Sequence, residues 1–192
     1  LYNRGVSRLS MGADLVLERA CRDAAAWTGE LAKLAVSVNL STAQFVHEEN
    51  LLTDVTNILA ASTLNPNRLI LEITETILMH DHPVVIDKLK QLRALGIQLA
   101  IDDFGVGYSS LAYLRRFPID KLKLDRSFVR DIERDLGDRK IVEAMILLGK
   151  SLNLEIVAEG VESLAQLRCL TDLGCDQVQG YLISRPMRNV DF

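Results

Sequence analysis

Ile97-Gln98-Leu99-Ala100-Ile101-Asp102-Asp103-Phe104-Gly105-Val106-Gly107 joins an apolar strand pattern to two adjacent carboxylates and a glycine-bearing loop. Two neighbouring carboxylates repel one another unless a cation offsets them. Within a strand their side chains point to opposite faces, yet where the chain turns into a loop both can converge. Taken alone, the pair reads as a helix cap or a solvated turn. The rest of the chain decides the matter.

Five further strand patterns flank this one: Leu34–Asn39, Leu69–Ile73, Ile119–Leu124, Leu154–Glu159 and Gln177–Leu182. Each pattern ends on or near a polar residue at its C-terminal side, giving Asn39, Glu72, Asp102, Lys123, Glu159 and Gln179. Helical patterns separate them. Ala13 to Trp27 is rich in Ala, Leu and Arg; Ile86, Leu89 and Leu92 recur before Gly96; Ile141, Met145, Leu148 and Leu152 predict a buried stripe. Ser163 predicts the N-cap of a helix carrying Leu164, Leu167 and Leu170 and stopping at Gly174.

Strand and helix in alternation mean parallel strands with covering helices, either doubly wound or closed as a barrel. Polar groups dispersed over several strand ends favour the barrel, because a doubly wound sheet concentrates its site at one switch point. The expected fold class is therefore α/β, a TIM-like (β/α)8 barrel. Such a barrel takes about 250 residues and eight strands, whereas this chain offers six strand patterns in 192 residues. It reads as a barrel missing its first strand and the following helix.

With 48% apolar and 25% charged residues the chain can bury a core, and no linker or low-complexity block divides it, which predicts a single domain over residues 1–192. Lys and Arg number 22 against 26 acidic residues, a net charge of −4 with no long basic run, so a DNA-binding role is excluded. The longest apolar run, Ala144–Leu148, is too short to span a bilayer. Cys21, Cys169 and Cys175 are odd in number and lack a CxxC spacing, which predicts a reducing, cytoplasmic location. The opening Leu1-Tyr2-Asn3-Arg4-Gly5 has neither an initiator Met nor a signal-like apolar stretch, and is read as starting partway into a longer coding sequence.

The strand-end carboxylates of Glu72, Asp102, Asp103 and Glu159, with the carbonyl of Asn39, are hard oxygen donors suited to Mg²⁺ or Mn²⁺. Two such ions about 3.5 to 4 Å apart can clamp the attacking and leaving oxygens of phosphoryl transfer. Lys123 can hold the nucleophilic water or offset charge on the phosphate. Gly105-Val106-Gly107 lacks the third glycine of a dinucleotide fingerprint and reads as a loop. His80-Asp81-His82 reads as a solvated helix entry and His47-Glu48-Glu49 as a polar face, so a histidine-centred triad or zinc site is not expected.

In order along the chain stand Ser37-Val38-Asn39-Leu40-Ser41, Leu71-Glu72-Ile73-Thr74-Glu75, Ile101-Asp102-Asp103-Phe104-Gly105-Val106-Gly107-Tyr108-Ser109-Ser110-Leu111, Lys121-Leu122-Lys123-Leu124-Asp125-Arg126-Ser127-Phe128, Ala158-Glu159-Gly160-Val161-Glu162, and Gln179-Gly180-Tyr181 with Arg185-Pro186. Together they resemble the EAL-domain phosphodiesterases that linearise cyclic di-GMP. The likeness runs from about Leu15 to the end, and residues 1–12 fit it poorly. The resemblance implies an EAL-type barrel in which Asn39, Glu72, Asp102, Asp103 and Glu159 hold two ions, Mg²⁺ or Mn²⁺, with Asp102 bridging them. It implies that Lys123 positions the hydrolytic water and that Glu162 and Gln179 support the site. Glu75 would brace the loop from Phe104 to Leu111, which in the family couples the metal site to a dimer interface. The tripeptide Glu-Ala-Leu that names the family is not in the sequence, and with it go one metal-ligand Glu and a nearby phosphate-holding Arg.

The leading expectation is thus a metal-dependent cyclic di-GMP phosphodiesterase domain, homodimeric and open to fusion with sensor or cyclase domains. A catalytically inactive cyclic di-GMP-binding or dimerisation module is the alternative. A metal-dependent barrel enzyme for a small metabolite shares the chemistry but leaves the ordered motifs unexplained.

Overall fold

A computed structural model of the chain describes residues 8–41, 45, 50–79, 83–107 and 114–187, with side chains described from residue 15 onward except at 78 and 79. His47-Glu48-Glu49, His80-Asp81-His82, the opening pentapeptide and residues 108–111 of the loop motif lie outside the described residues. The chain forms two compact units, Leu1–Ile73 with His80–Leu99, and Thr74–Met79 with Ala100–Phe192.

In the first unit, helix α1 (Arg8–Ala25) packs on strand β1 (Val36–Leu40) and on helix α2 (Leu51–Ser62). Its buried Leu17, Cys21 and Ala24 follow the spacing of one helical face. Burial pushes the Cys21 thiol up to about 11, so at neutral pH it is a protonated core residue rather than a nucleophile. Leu51, Val55 and Leu59 repeat the pattern on α2. Strand β2 (Leu69–Thr74) pairs with β1 in parallel, Asn39 opposite Glu72. Arg68 secures this arrangement by donating to the carbonyls of Leu34, at 2.7 Å, and Ala24, at 2.9 Å. Helix α3 (Pro83–Ala94) buries Val85, Leu89 and Leu92 and stops at Gly96, whose φ of +94° supplies the left-handed turn the sequence predicts there.

The second unit carries strands β3 (Gln98–Phe104, the first two residues of which belong to the first unit), β4 (Lys121–Leu124), β5 (Glu155–Ala158) and β6 (Gln177–Val178). They pair β3–β4, β4–β5 and β5–β6, every pair parallel and each strand beside its successor in the chain. That progression without reversal is the barrel's and not the doubly wound sheet's. Short helix α4 (Arg126–Val129), α5 (Leu136–Ser151) and α6 (Leu164–Asp172) make the crossovers.

Ser163 caps α6 through a reciprocal capping box with Gln166, and Gly174 at φ +78° ends it, both as the sequence predicts. The apolar stripe of α5 is corrected. Its buried residues are Val142, Ile146 and Gly149, while Ile141 is 43% exposed. The reason is that the helix meets β5 through a glycine: a Cβ at Gly149 would overlap the Ile156 side chain, so the helix rotates its smallest residue inward. On α6 likewise Leu170 is buried together with Gln166, while Leu164 is exposed. Strand β6 is also shorter than its apolar pattern predicts, because residues 181–183 form a turn.

Candidate active site

Every predicted site residue with a strand address lies at a C-terminal strand end. In the first unit Asn39 and Glu72 are register partners on adjacent parallel strands, which sends both side chains to one face of the pair. Glu72 is buried within otherwise apolar β2, and Asn39 is exposed.

In the second unit the geometry turns on the end of β3. Its pairing with β4 slips between Ile101 and Phe104, and Asp103 adopts a φ of +53°. A bulge and a left-handed residue together undo the strict alternation of a strand, and Asp is among the few residues that tolerate this conformation. The consequence is chemical. Asp102, Asp103 and Glu159 each bring a carboxylate oxygen within 4.8 Å of the others. Glu159 is set there by its amide, which donates to the Leu124 carbonyl at 3.1 Å.

Lys123 projects from β4 with only 5% of its surface exposed. Its ammonium donates to Asp102 Oδ1 at 2.9 Å and to Glu159 Oε1 at 2.6 Å. A buried lysine is tolerated when carboxylates meet it in this way. Burial, and then the charges of Asp102 and Asp125, push the Asp103 carboxyl upward, whereas Lys123 and Arg126 draw it down. Among the described residues Lys123 is the ammonium that meets this group directly, with Arg126 acting on Asp103 through its charge. The group's donor set, hard oxygens only, fits a divalent cation.

Glu75 is buried, and its Oε2 accepts from the amides of Gly105 at 2.9 Å and Gly107 at 3.2 Å. It thereby fixes the loop that leaves β3, a bond strengthened by the carboxylate charge. Glu75→Gln is expected to keep the fold but weaken these two bonds, raising hydrogen-exchange rates at the Gly105 and Gly107 amides about fivefold. Unchanged exchange there would remove the bracing role.

Glu162 and Gln179 are exposed in the same unit. The Glu162 amide donates to Gln166 Oε1 at 2.7 Å. Gln179 is bound through its backbone, donating to the Ala158 carbonyl at 2.8 Å and accepting from the Val161 amide at 3.0 Å. Next to the carboxylate cluster opens a cavity of about 600 Å³ that Asp103, Asp125, Arg126 and Glu162 help to line. Asp125 caps α4 by accepting from the Ser127 amide at 2.9 Å. Burial works against its charge, but the hydrogen bonds from Ser127 prevail and hold the carboxyl below its usual range. Sequence reasoning assigned no role to Asp125 or Arg126. The signal available was their position directly after the strand that carries Lys123.

The EAL domain family profile matches residues 9–186. Over 173 residues the chain is 48% identical to the bifunctional diguanylate cyclase/cyclic di-GMP phosphodiesterase MucR of Pseudomonas aeruginosa, covering 90% of this chain and 25% of the relative. It is 46% identical over 177 residues to the cyclic di-GMP phosphodiesterase NbdA of the same organism, covering 91% and 22%. The chain thus spans about a quarter of the length of these curated relatives. Among solved structures, the Pseudomonas MucR phosphodiesterase in complex with cyclic di-GMP superposes with a TM-score of 0.90 at 45% identity, covering 95% of this chain and 74% of that one. The Klebsiella pneumoniae BlrP1 complex with calcium and cyclic di-GMP gives 0.87 at 33% identity, covering 97% and 47%.

Proposed function

The chain belongs to the EAL domain family, and from that premise we propose that it hydrolyses cyclic di-GMP to the linear dinucleotide in a reaction that depends on divalent metal. The observation that carries the reading is the contact of one buried ammonium, Lys123, with Asp102 and Glu159 beside Asp103. Relatives named as cyclic di-GMP phosphodiesterases, and neighbours solved with calcium or manganese and the dinucleotide, support both the substrate and the class of ion.

Two ions, Mg²⁺ or Mn²⁺, would supply the activated water and the charge neutralisation that phosphodiester hydrolysis requires at neutral pH. Asp102, Asp103 and Glu159 are the residues of the second unit that would hold metal, and Asn39 and Glu72 offer further oxygen donors in the first. Lys123 has a separate task. Its ammonium carries hydrogens that a water or a phosphate oxygen can accept, and its position is set by two carboxylates rather than by a flexible stem. As the water oxygen adds to phosphorus and one ester P–O bond breaks, Lys123 offsets the growing negative charge. The attacking water gives up a proton and the departing oxygen takes one up, so the net change is the addition of one water across the broken bond. Glu162 and Gln179 support the substrate side, and Glu75 keeps the loop after β3 in place.

The proposal extends to the protein's context. The family match across residues 9–186 supports treating residues 1–192 as one domain, and a bifunctional relative supports fusion to a cyclase or sensor domain. A homodimer and a cytoplasmic location complete the reading.

The test is direct. The chain is incubated with cyclic di-GMP and Mg²⁺ or Mn²⁺, and the linear dinucleotide is expected by chromatography, with its formation stopped by a chelator. Lys123→Ala should lower turnover about 10²- to 10³-fold while metal affinity, followed by calorimetry, is retained. Binding of the dinucleotide without turnover under any ion would transfer the chain to the non-catalytic class.

A further inference from the structure

Gln166 is a buried residue, 6% exposed, whose hydrogen bonds exceed what its helix needs. It stands at the third position of α6, where a capping box accepts glutamate or glutamine. Its Oε1 accepts from the Ser163 amide at 2.9 Å, which completes the box, and also from the Glu162 amide at 2.7 Å. Its Nε2 donates to the carbonyl of Arg130, the residue that follows α4, at 3.1 Å. A carboxylate could make the first two bonds but has no hydrogen to give Arg130. Those bonds join two segments that part at the strand ends. Strand β4 runs on through Asp125 into α4, and β5 through Glu159, Gly160 and Val161 to Glu162. The Glu159 amide ties them where they begin to diverge, donating to the Leu124 carbonyl at 3.1 Å. Gly160 then lets one segment lie on the other, since a Cβ there would come within 2.5 Å of Arg126 Cβ. Gln166 ties them again at the far end.

We propose that Gln166 is a positioning residue for the hydrolysis, an inference that rests on the phosphodiesterase reading above. By holding the 159–162 segment against α4, it keeps the Glu159 carboxylate at the Lys123 ammonium, 2.6 Å away, and beside Asp102 and Asp103. Its role is indirect and acts through Glu159. Without the bond to Arg130 the segment is tied to the β4 side at its near end, and Glu159 moves with whatever the rest of it does. A displacement of about an ångström can cost up to about a hundredfold in rate. Glutamate at this position separates two roles that glutamine combines: the helix cap is kept and the tie to α4 is lost.

The experiment measures cyclic di-GMP turnover with Mn²⁺, and thermal unfolding, for the whole chain unmodified and as Gln166→Glu, Gln166→Met and Ser163→Ala. All are assayed well below the lowest melting midpoint. Ser163→Ala removes the helix cap and leaves the tie to Arg130, so its midpoint should fall by about 2 to 4 °C with kcat kept. Gln166→Glu should melt no lower than that variant, yet lose about tenfold in kcat with KM within about twofold. Gln166→Met, neutral and of similar length, should lose as much kcat. Unchanged kcat in Gln166→Glu, or an equal loss in Ser163→Ala, would reduce Gln166 to a helix cap and overturn the inference. So would a loss confined to Gln166→Glu, which would trace the effect to the added charge. If Gln166→Met does not fold, salt decides that point: relative to the unmodified chain, a loss due to charge shrinks at about 0.5 M NaCl, which overturns the inference, and a loss due to position persists, which supports it. If the unmodified chain does not turn over cyclic di-GMP, the phosphodiesterase reading itself fails and the inference with it.

Discussion

Asp102→Asn is expected to reduce cyclic di-GMP hydrolysis by at least about three orders of magnitude, with a melting temperature within a few degrees of the unmodified chain. The substitution keeps the size and one carbonyl oxygen but removes the charge from a carboxylate proposed to hold metal. It also weakens the hold on Lys123, whose ammonium meets Asp102 at 2.9 Å and Glu159 at 2.6 Å. The proposed metal binding and the placement of Lys123 are thus affected together when one carboxylate oxygen becomes an amino group. The asparagine can still accept a hydrogen bond from Lys123, and the side chain is 12% exposed, so the fold should tolerate it. Turnover with Mn²⁺ at saturating substrate, set beside a thermal unfolding curve, separates lost chemistry from lost structure. Activity within tenfold of the unmodified chain would show that Asp102 is not needed to hold metal.

The second large effect belongs to a residue with no chemistry of its own. Gly180→Ala is expected to destabilise the chain by about 3 kcal/mol, the upper end for overpacking, and to lower its melting temperature by roughly 6 to 12 °C. A methyl group there would collide with the backbone of Val161 rather than with the end of a side chain that could swing aside. Hydrogen bonds on either side hold the two segments together: Val161 donates to Gln179 at 3.0 Å, and Leu182 donates to Val161 at 3.0 Å. Separating them would shift Gln179 and the 159–162 loop together. Activity should therefore fall below what the unfolded fraction explains, as a comparison of differential scanning calorimetry with turnover at 20 °C below the midpoint would show. An unaltered midpoint would mean that the backbone contact is looser than described.

Much of this architecture is visible in the chain as written, for a physical reason. A carboxylate or a lysine inside an apolar strand is costly unless it is paired, so Glu72, Lys123 and Glu159 announce themselves by interrupting runs of Leu, Ile and Val. The helix punctuation was equally plain, because Ser163, Gly96 and Gly174 each satisfy a local requirement of the backbone. What could not be read is anything decided by approach. On α5 apolar residues occupy both flanks, Ile141 and Met145 as well as Val142 and Ile146, and only the fit of Gly149 against Ile156 selects the inner one. The place of Arg126 is hidden likewise, since an exposed arginine after a strand is ordinary until a cavity and two carboxylates are seen around it.

The left-handed turn at Asp103 has a further implication for how the chain can drift. Neighbouring acids in a motif invite the view that either could change to glutamate at little cost, the charge being kept. Here the two positions answer to different constraints: 102 to valence, 103 to chirality. A longer acid at 103 would have to accept a backbone that most L-residues avoid and would also overshoot the cluster. The doublet is accordingly two separate evolutionary addresses that happen to be spelled with the same letter.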